Sequence, residues 1–187
     1  MFAAGSRSHI FVKLLWERLP ATRKFGFFMH SRPGTYALVL KSSSERRVEA
    51  GKLGPLHVRP GYYVYVGSAF GPGGLKSRIA HHIKISERPH WHIDYLRSIL
   101  HLNEVWYSYD SEKHEHQWAD TFSSLRGATI PMTGFGASDC SCISHLFAFT
   151  TQPSIRAFRR RLHPLSKVHE SVFHKNEICP GNKRQMV

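Results

Sequence analysis

Residues 61–83 of the chain, GYYVYVGSAFGPGGLKSRIAHHI, carry its clearest structural pattern. The first seven of these residues begin and end with glycine, and the five between them are aromatic or β-branched, which is typical of a strand. The glycines and the proline of residues 71–74 predict a loop. Apolar side chains then recur every three or four positions, so we predict a helix that begins near residue 75.

Further elements are predicted on both sides of this stretch. Residues 36–40 (YALVL) predict a strand, and the polar run that separates them from residues 46–50 predicts a β-hairpin. Toward the C-terminus we predict a helix at residues 91–99, a short strand at 105–107, a helix at 112–125, irregular chain at 127–144 and a last strand at 145–149. The predicted class is therefore α+β, with a small and mostly antiparallel sheet.

Positive charge is concentrated at the two ends of the chain. The 187 residues carry a formal net charge of +13, to which residues 1–33 contribute +5 and residues 152–187 contribute +6. We therefore predict a basic leader (1–33), one nearly balanced domain (34–151), and a basic C-terminal helix with a loose tail (152–187). Such an excess predicts a polyanionic partner, with nucleic acid preferred over a membrane surface. The apolar stretches are also far shorter than the roughly 20 residues that span a bilayer.

The cysteines bear on the compartment. Three cysteines, Cys140, Cys142 and Cys179, do not form the even, spaced set of a disulfide framework. This favours a reducing compartment, and we expect a cytoplasmic protein. The N-terminal stretch also has the acid-poor, arginine-containing composition of an organelle transit peptide, and Met29 is an alternative start of the chain.

A small set of polar residues predicts chemistry on phosphodiesters. Tyr36 and Tyr65 each lie on a predicted strand close to a glycine, where a ligand can approach closely. Arg78 and His82 are four residues apart and share one face of the following helix. Glu115 lies on a later predicted helix as a candidate metal ligand. One carboxylate suits magnesium, which keeps several waters, and arginine matches the geometry of a phosphate.

The ordered blocks of these residues resemble the GIY-YIG endonuclease superfamily. Within it, the stretches GYYVYVGSAFGPGGLKSRIAHH, HWHIDYL and GFGASDCSCISHLF are similar to the Uri-type branch. The resemblance covers residues 34–149 and leaves both basic ends outside. It rests on Gly34-Thr35-Tyr36, Tyr65-Val66-Gly67-Ser68, Arg78 with His82, and Glu115. It implies a three-stranded antiparallel sheet flanked by helices, and cleavage of DNA that depends on Mg²⁺ or Mn²⁺.

The resemblance also implies a role for each of the matching residues. Tyr36 would accept a proton from the attacking water or position that water, and Tyr65 would be its partner. Arg78 would stabilise the charge of the transition state. His82 would relay a proton or contact phosphate, and Glu115 would be the magnesium ligand.

Two positions of the site stay open at the level of sequence. Many members of the superfamily carry an asparagine after the glutamate helix, and this chain has no clear counterpart. Ser138, Asp139 or His145 are the candidate replacements. Glu112 lies one helical turn before Glu115 and competes with it as the metal ligand, although the alignment of the branch favours Glu115.

The cysteines and two histidines allow other interpretations. Cys140, Cys142 and His145 would be an incomplete zinc site, with Asp139 as a candidate fourth ligand. A structural zinc ion is bound by four ligands, and paired cysteines are usually separated by two to four residues rather than by one. We therefore interpret Cys140 and Cys142 as a packed, reduced pair.

The histidine pair around Trp91 suggests a different nuclease chemistry. His90 and His92 resemble pairs that bind metal in nucleases that attack with a tyrosine, here Tyr95. Such a pair belongs on a strand, whereas this one begins a helical pattern. We prefer His92 or Asp94 as an anchor of the helix, with Trp91 and Tyr95 in the core. A separate alternative is a non-catalytic module on the same fold that binds nucleic acid through its basic ends.

Overall fold

The computed structural model describes residues 29–162 and 173–176. Residues 1–28 of the predicted basic leader lie outside the described residues, and so does most of the predicted tail after Leu162. None of the helices in this described part of the chain is long and apolar enough to cross a membrane.

The main sheet is antiparallel and has five strands in the order β6-β4-β1-β5-β7. Four of them lie within the continuous stretch up to Leu162, and β7 adds one edge. The strands are β1 (Thr35–Ser42), β4 (Gly61–Ser68), β5 (His101–Ser108), β6 (Leu146–Phe149) and β7 (Phe173–Asn176). The expected α+β class with an antiparallel sheet is confirmed. The sheet is wider than the three strands expected, because β6 and β7 pair with the two outer strands of the central three.

The predicted hairpin between residues 36–40 and 46–50 is wrong. Strand β1 pairs with β4 on one side and with β5 on the other, so neither of its edges is open to another strand. Strand β2 (Arg46–Glu49) pairs instead with β3 (Pro55–Val58) in a separate two-stranded sheet. Residues 37–40 of β1 are fully buried, whereas three of the four side chains of β2 are exposed. A charged strand suits a solvent-facing hairpin better than the centre of a sheet.

Helices cover both faces of the main sheet. The helices are α1 (Gly74–Ile83), α2 (His92–Arg97), α3 (Glu115–Ser123) and α4 (Ile155–Leu162). Alternate residues of β1 point to opposite faces. Tyr36, Leu38 and Leu40 pack with α1, α2 and β3, whereas Ala37 and Val39 pack with α3 and α4. The sheet therefore separates two apolar layers. We call the side of Tyr36, Leu38 and Leu40 the first face, and the side of Ala37 and Val39 the second face.

The glycine-rich loop determines where α1 begins. Gly73 and Gly74 have φ angles of +80° and +53°, a conformation that costs glycine little and other residues more. This turn lets the amide of Leu75 donate a hydrogen bond to the carbonyl of Arg32 at 2.9 Å. The start of α1 is therefore fixed against the chain that enters β1, which places the helix over the first face of the sheet.

Candidate active site

Four of the five residues selected from the sequence line one cleft. The cleft has a volume of about 530 Å³ and includes Tyr36, Tyr65, Arg78 and Glu115 in its wall. The fifth, His82, lies directly behind Tyr36 and is only 1% exposed. The four elements β1, β4, α1 and α3 thus bring these five side chains together from distant positions in the sequence.

Strand register places the first tyrosine over a glycine. Tyr36 pairs with Gly67 across β1 and β4, and its ring crosses the place where a side chain at residue 67 would begin. A Cβ atom on Gly67 would lie 2.5 Å from the phenol oxygen of Tyr36. Glycine at position 67 is therefore needed for the ring to reach the cleft, which explains why the tyrosine and the glycine occur together.

The second tyrosine lies diagonally across the same pair of strands. Tyr65 pairs with Leu38 and shares the first face with Tyr36. Its ring packs edge-on against Phe135 and lies close to Gly136. Burial raises the pKa of Tyr65, and the negative charge of Glu115 raises it further. Tyr65 is therefore a neutral phenol at the cleft wall.

Tyr36 and His82 form a buried hydrogen bond. The phenol oxygen lies 2.8 Å from Nε2 of His82. Burial raises the pKa of Tyr36 well above 10 and lowers the pKa of His82 to about 3, so both groups are neutral near neutral pH. Because His82 is buried, the structure does not support the expectation that it contacts phosphate.

Asp94 lies beside His81 and His82 at the start of α2. Oδ1 of Asp94 lies 3.9 Å from Nδ1 of His82 and 3.1 Å from Nε2 of His81. Oδ2 accepts hydrogen bonds from the amides of His90 and Trp91, each at 3.0 Å. Burial raises the pKa of Asp94, but these bonds outweigh it and the net pKa is lowered. The carboxylate lies on the Nδ1 side of His82 but is too far away for a hydrogen bond, and Nδ1 has no hydrogen-bond partner within the described residues. The expected anchoring role of Asp94 at α2 agrees with this geometry.

Arg78 is held at the rim of the cleft by an aromatic ring. Its guanidinium carbon lies 4.2 Å from the centroid of the Trp91 ring, a cation–π arrangement. Trp91 itself lines the cleft, so its assignment to the core is wrong in part: one side of the ring packs on the core and the other supports Arg78. Stacking leaves the N–H groups at the edge of the guanidinium able to reach an anion.

Glu115 is the first residue of α3 and is positioned from β1. The amide of the preceding His114 donates a hydrogen bond to the hydroxyl of Thr35 at 3.1 Å. Oε1 of Glu115 lies 3.0 Å from Nδ1 of His145, and the side chain is 19% exposed. Burial raises the pKa of Glu115, but contacts with His145 and Ser68 outweigh it, so the net pKa is lowered. The side chain is therefore a carboxylate at neutral pH.

The structure distinguishes the other candidate ligands. Glu112 is exposed and does not line the cleft, which agrees with the choice of Glu115. Ser138 and Asp139 do line it, whereas His145 is 1% exposed and contacts the cleft only through Glu115. Ser138 and Asp139 therefore lie where a replacement for the missing asparagine could act, and His145 does not.

The histidine pair around Trp91 lies at the start of a helix, as its sequence pattern predicts, and not on a strand. His90 precedes α2 and His92 is its first residue, and both line the cleft. Nδ1 of His92 accepts a hydrogen bond from the amide of Gly136 at 3.3 Å. Tyr95 does not line the cleft and instead packs beside Gly51. A tyrosine nucleophile next to these histidines is therefore not supported.

A second cluster lies beside Glu115 and contains a residue that the sequence analysis missed. His116, Cys140, Cys142 and His145 each offer a ligand atom, and these four atoms lie within 4.8 Å of one another. Cys140 and Cys142 are free cysteines rather than a disulfide. The sequence feature that could have identified His116 is its position directly after Glu115. Residues that are neighbours on the first turn of a helix lie close together, so His116 is also near the cleft.

The comparisons with known proteins define a family. The chain matches the family described as "Domain of unknown function DUF123" over residues 35–167 and belongs to it. The matched range spans most of the chain and contains all of the cleft residues. Comparison with the curated proteins found no match, and comparison with the solved structures found none.

Proposed function

We propose that this protein is a metal-dependent endonuclease of the GIY-YIG type, in its Uri-type branch, which hydrolyses phosphodiester bonds in DNA. The observation that carries the proposal is the convergence of Tyr36, Tyr65, Arg78 and Glu115 on one cleft, with His82 behind Tyr36. These residues match the sequence pattern at positions that are far apart along the chain. Tyr36 and Tyr65 are buried in the wall of the cleft, whereas Arg78 and Glu115 are partly exposed there.

The buried pair fixes the position of a phenol in the cleft wall. A phenol whose pKa is raised by burial is a poor base by itself. Burial also lowers the pKa of His82 to about 3, so the imidazole stays neutral and is a poor proton acceptor. The hydrogen bond between Tyr36 and Nε2 of His82, 2.8 Å long, instead holds the phenol where it can position the attacking water. Tyr36 is thus the catalytic residue of this arrangement, and His82 is a positioning residue.

Arg78 supplies positive charge at the position where a phosphate would enter. Charge builds up on the oxygens of a phosphoryl group during displacement, and a preorganised guanidinium stabilises it. The stack on Trp91 fixes the guanidinium plane before substrate arrives. Tyr65 forms the wall of the cleft on the side of β4. It would restrict the position of a phosphate bound in the cleft.

Magnesium or manganese is the metal that the site fits. Glu115 is ionised, lines the cleft and has Asp139 in the same wall, which matches the preference of Mg²⁺ for one or two carboxylates with waters and substrate oxygens. Glu115 would hold the ion, with Asp139 as the second acidic group at hand. A bound divalent cation polarises a phosphoryl oxygen and neutralises developing charge.

Cleavage assays on the full chain test the proposal. Linear, single-stranded and branched DNA are incubated with the protein and with Mg²⁺ or Mn²⁺, and then with excess chelator. We expect metal-dependent cleavage of at least one substrate, and loss of cleavage in Arg78→Ala and Glu115→Gln. Tyr62→Phe is the matched control, because Tyr62 packs on the second face, away from the cleft. Cleavage by Arg78→Ala at the rate of the parent would show that the site is misassigned.

The basic helix favours a second candidate function. The arginines of α4, at positions 156 and 159–161, are all exposed, and they provide a polyanion-binding surface that needs no catalysis. A non-catalytic nucleic-acid-binding module would bind DNA without cutting it under any metal condition. Binding that is unchanged by Glu115→Gln, together with no cleavage of any substrate, would favour this second candidate.

A further inference from the structure

We propose that His116, Cys140, Cys142 and His145 form a structural zinc site that fastens the irregular chain before β6 to the first turn of α3. The site is separate from the proposed magnesium position and does not require the nuclease assignment. It also reverses the interpretation of the cysteines as a packed pair, because α3 supplies the fourth ligand that the local sequence lacks.

The distances between the ligand atoms fit a tetrahedral ion. Zinc lies about 2.3 Å from sulfur and about 2.0–2.1 Å from nitrogen, so ligand atoms of a tetrahedral site are about 3.3–3.8 Å apart. Nδ1 of His116 lies 3.1 Å from Sγ of Cys142, and Nε2 of His145 lies 3.5 Å from Sγ of Cys140. All four ligand atoms lie within 4.8 Å of one another, so the more distant pairs would have to approach by up to about 1–1.5 Å to bind one ion.

The second nitrogen of His145 supports the same conclusion. Histidines that bind zinc through one ring nitrogen commonly direct the other to a carboxylate, which fixes the orientation of the ring. Nε2 of His145 faces Cys140, while Nδ1 lies 3.0 Å from Oε1 of Glu115. His145 is 1% exposed, so this imidazole has been removed from water and aimed into the cluster. The Glu115 carboxylate would therefore orient the imidazole of His145, while Nε2 of that ring binds the ion.

The cluster joins irregular chain before β6 to the helix α3. Cys140 and Cys142 lie in irregular chain, His145 lies immediately before β6, and His116 is on α3. Only one residue separates the cysteines, which departs from the usual spacing of paired zinc ligands. The two histidines come from separate elements, so the ligand set does not depend on a single tight cysteine loop. Ser138 and Asp139 would be held in the cleft wall by this fastening.

Metal analysis of the purified full chain tests the proposal directly. The protein is purified in reductant without metal-affinity chromatography, and its metal content is measured by mass spectrometry with an inductively coupled plasma source. We expect about one zinc ion per chain, as for other four-ligand structural sites. Cys142→Ser and His116→Ala should each lose most of the zinc. Cys179→Ser and His57→Ala are the controls and should keep it, since the four proposed ligands complete a tetrahedral site without them.

A second measurement covers the case in which the variants do not fold. The metal of the wild-type protein is removed with chelator in reductant and replaced with cobalt, whose absorption reports thiolate ligands in tetrahedral geometry. Glu115→Gln should keep the cobalt spectrum but weaken zinc about 10- to 100-fold, as changes at groups that support a ligand do. No zinc in the wild-type protein and no thiolate–cobalt absorption would overturn the proposal. Neither readout depends on cleavage, so failure of the zinc site and failure of the nuclease assignment are distinguishable.

Discussion

Replacing His82 with glutamine should make the stability of this protein less sensitive to acid. His82 is 1% exposed, and burial lowers its pKa to about 3, although the nearby Asp94 opposes the shift. In the unfolded chain a histidine has a pKa of about 6.5. Below that pH the unfolded state binds a proton that the native state excludes, so protonation favours unfolding.

The sign and the size of the effect follow from these two pKa values. The contribution of neutral His82 to stability is fully present above pH 6.5 and is lost as the pH falls toward the folded pKa. The loss is about 1 kcal/mol at pH 6 and about 2 kcal/mol at pH 5. At pH 5 the figure depends almost entirely on the unfolded pKa, because the folded group is still neutral there.

The assay is urea unfolding followed by tryptophan fluorescence near pH 7.5, 6 and 5. The His82→Gln variant changes the hydrogen bond to Tyr36 and should be less stable than the wild type near pH 7.5, but the wild type should lose about 2 kcal/mol more than the variant on going to pH 5. His57→Gln is the control, because the His57 side chain is 57% exposed and keeps its access to water. Parallel losses of stability in the wild type and in His82→Gln would refute a buried neutral histidine.

Three further predictions concern the cleft and the basic helix. Gly67→Ala should displace the ring of Tyr36, destabilise the fold by about 1–3 kcal/mol in urea unfolding and abolish cleavage, whereas Gly71→Ala, with open space around it, should do neither. Trp91→Leu should slow single-turnover cleavage while the far-ultraviolet circular dichroism stays native, because Arg78 loses a stack worth about 0.5–2 kcal/mol; an unchanged rate would show that the stack is dispensable. Replacing Arg159 and Arg160 together with alanine should reduce the slope of log binding constant against log salt by about 0.9 for each phosphate that is no longer neutralised, and equal slopes would exclude both residues from the interface.

Strand β4 and the helical face shared by Arg78 and His82 could be predicted because their signals are local. A glycine-bounded aromatic strand identifies β4, and the spacing of Arg78 and His82 places both on one helical face. The partner of β2 could not be predicted, since pairing depends on which strands already occupy both edges of β1. His116 was missed for a related reason: its contacts with cysteines more than 20 residues later exist only in the fold. Strand β7 lies in a polar segment that was interpreted as a loose tail, and its pairing with β5 is equally non-local.

The cleft and the basic helix are connected through α3. Glu115 of the cleft begins α3, and the other end of that helix contacts α4, where Nε of Arg161 donates a hydrogen bond to Oγ of Ser124 at 3.2 Å and Phe158 stacks on Phe122. The nine residues of α3 span roughly 13 Å at about 1.5 Å per residue. A nucleic acid that contacts both the arginines of α4 and the cleft must therefore bridge about this length. A shorter oligonucleotide would occupy one of the two surfaces at a time.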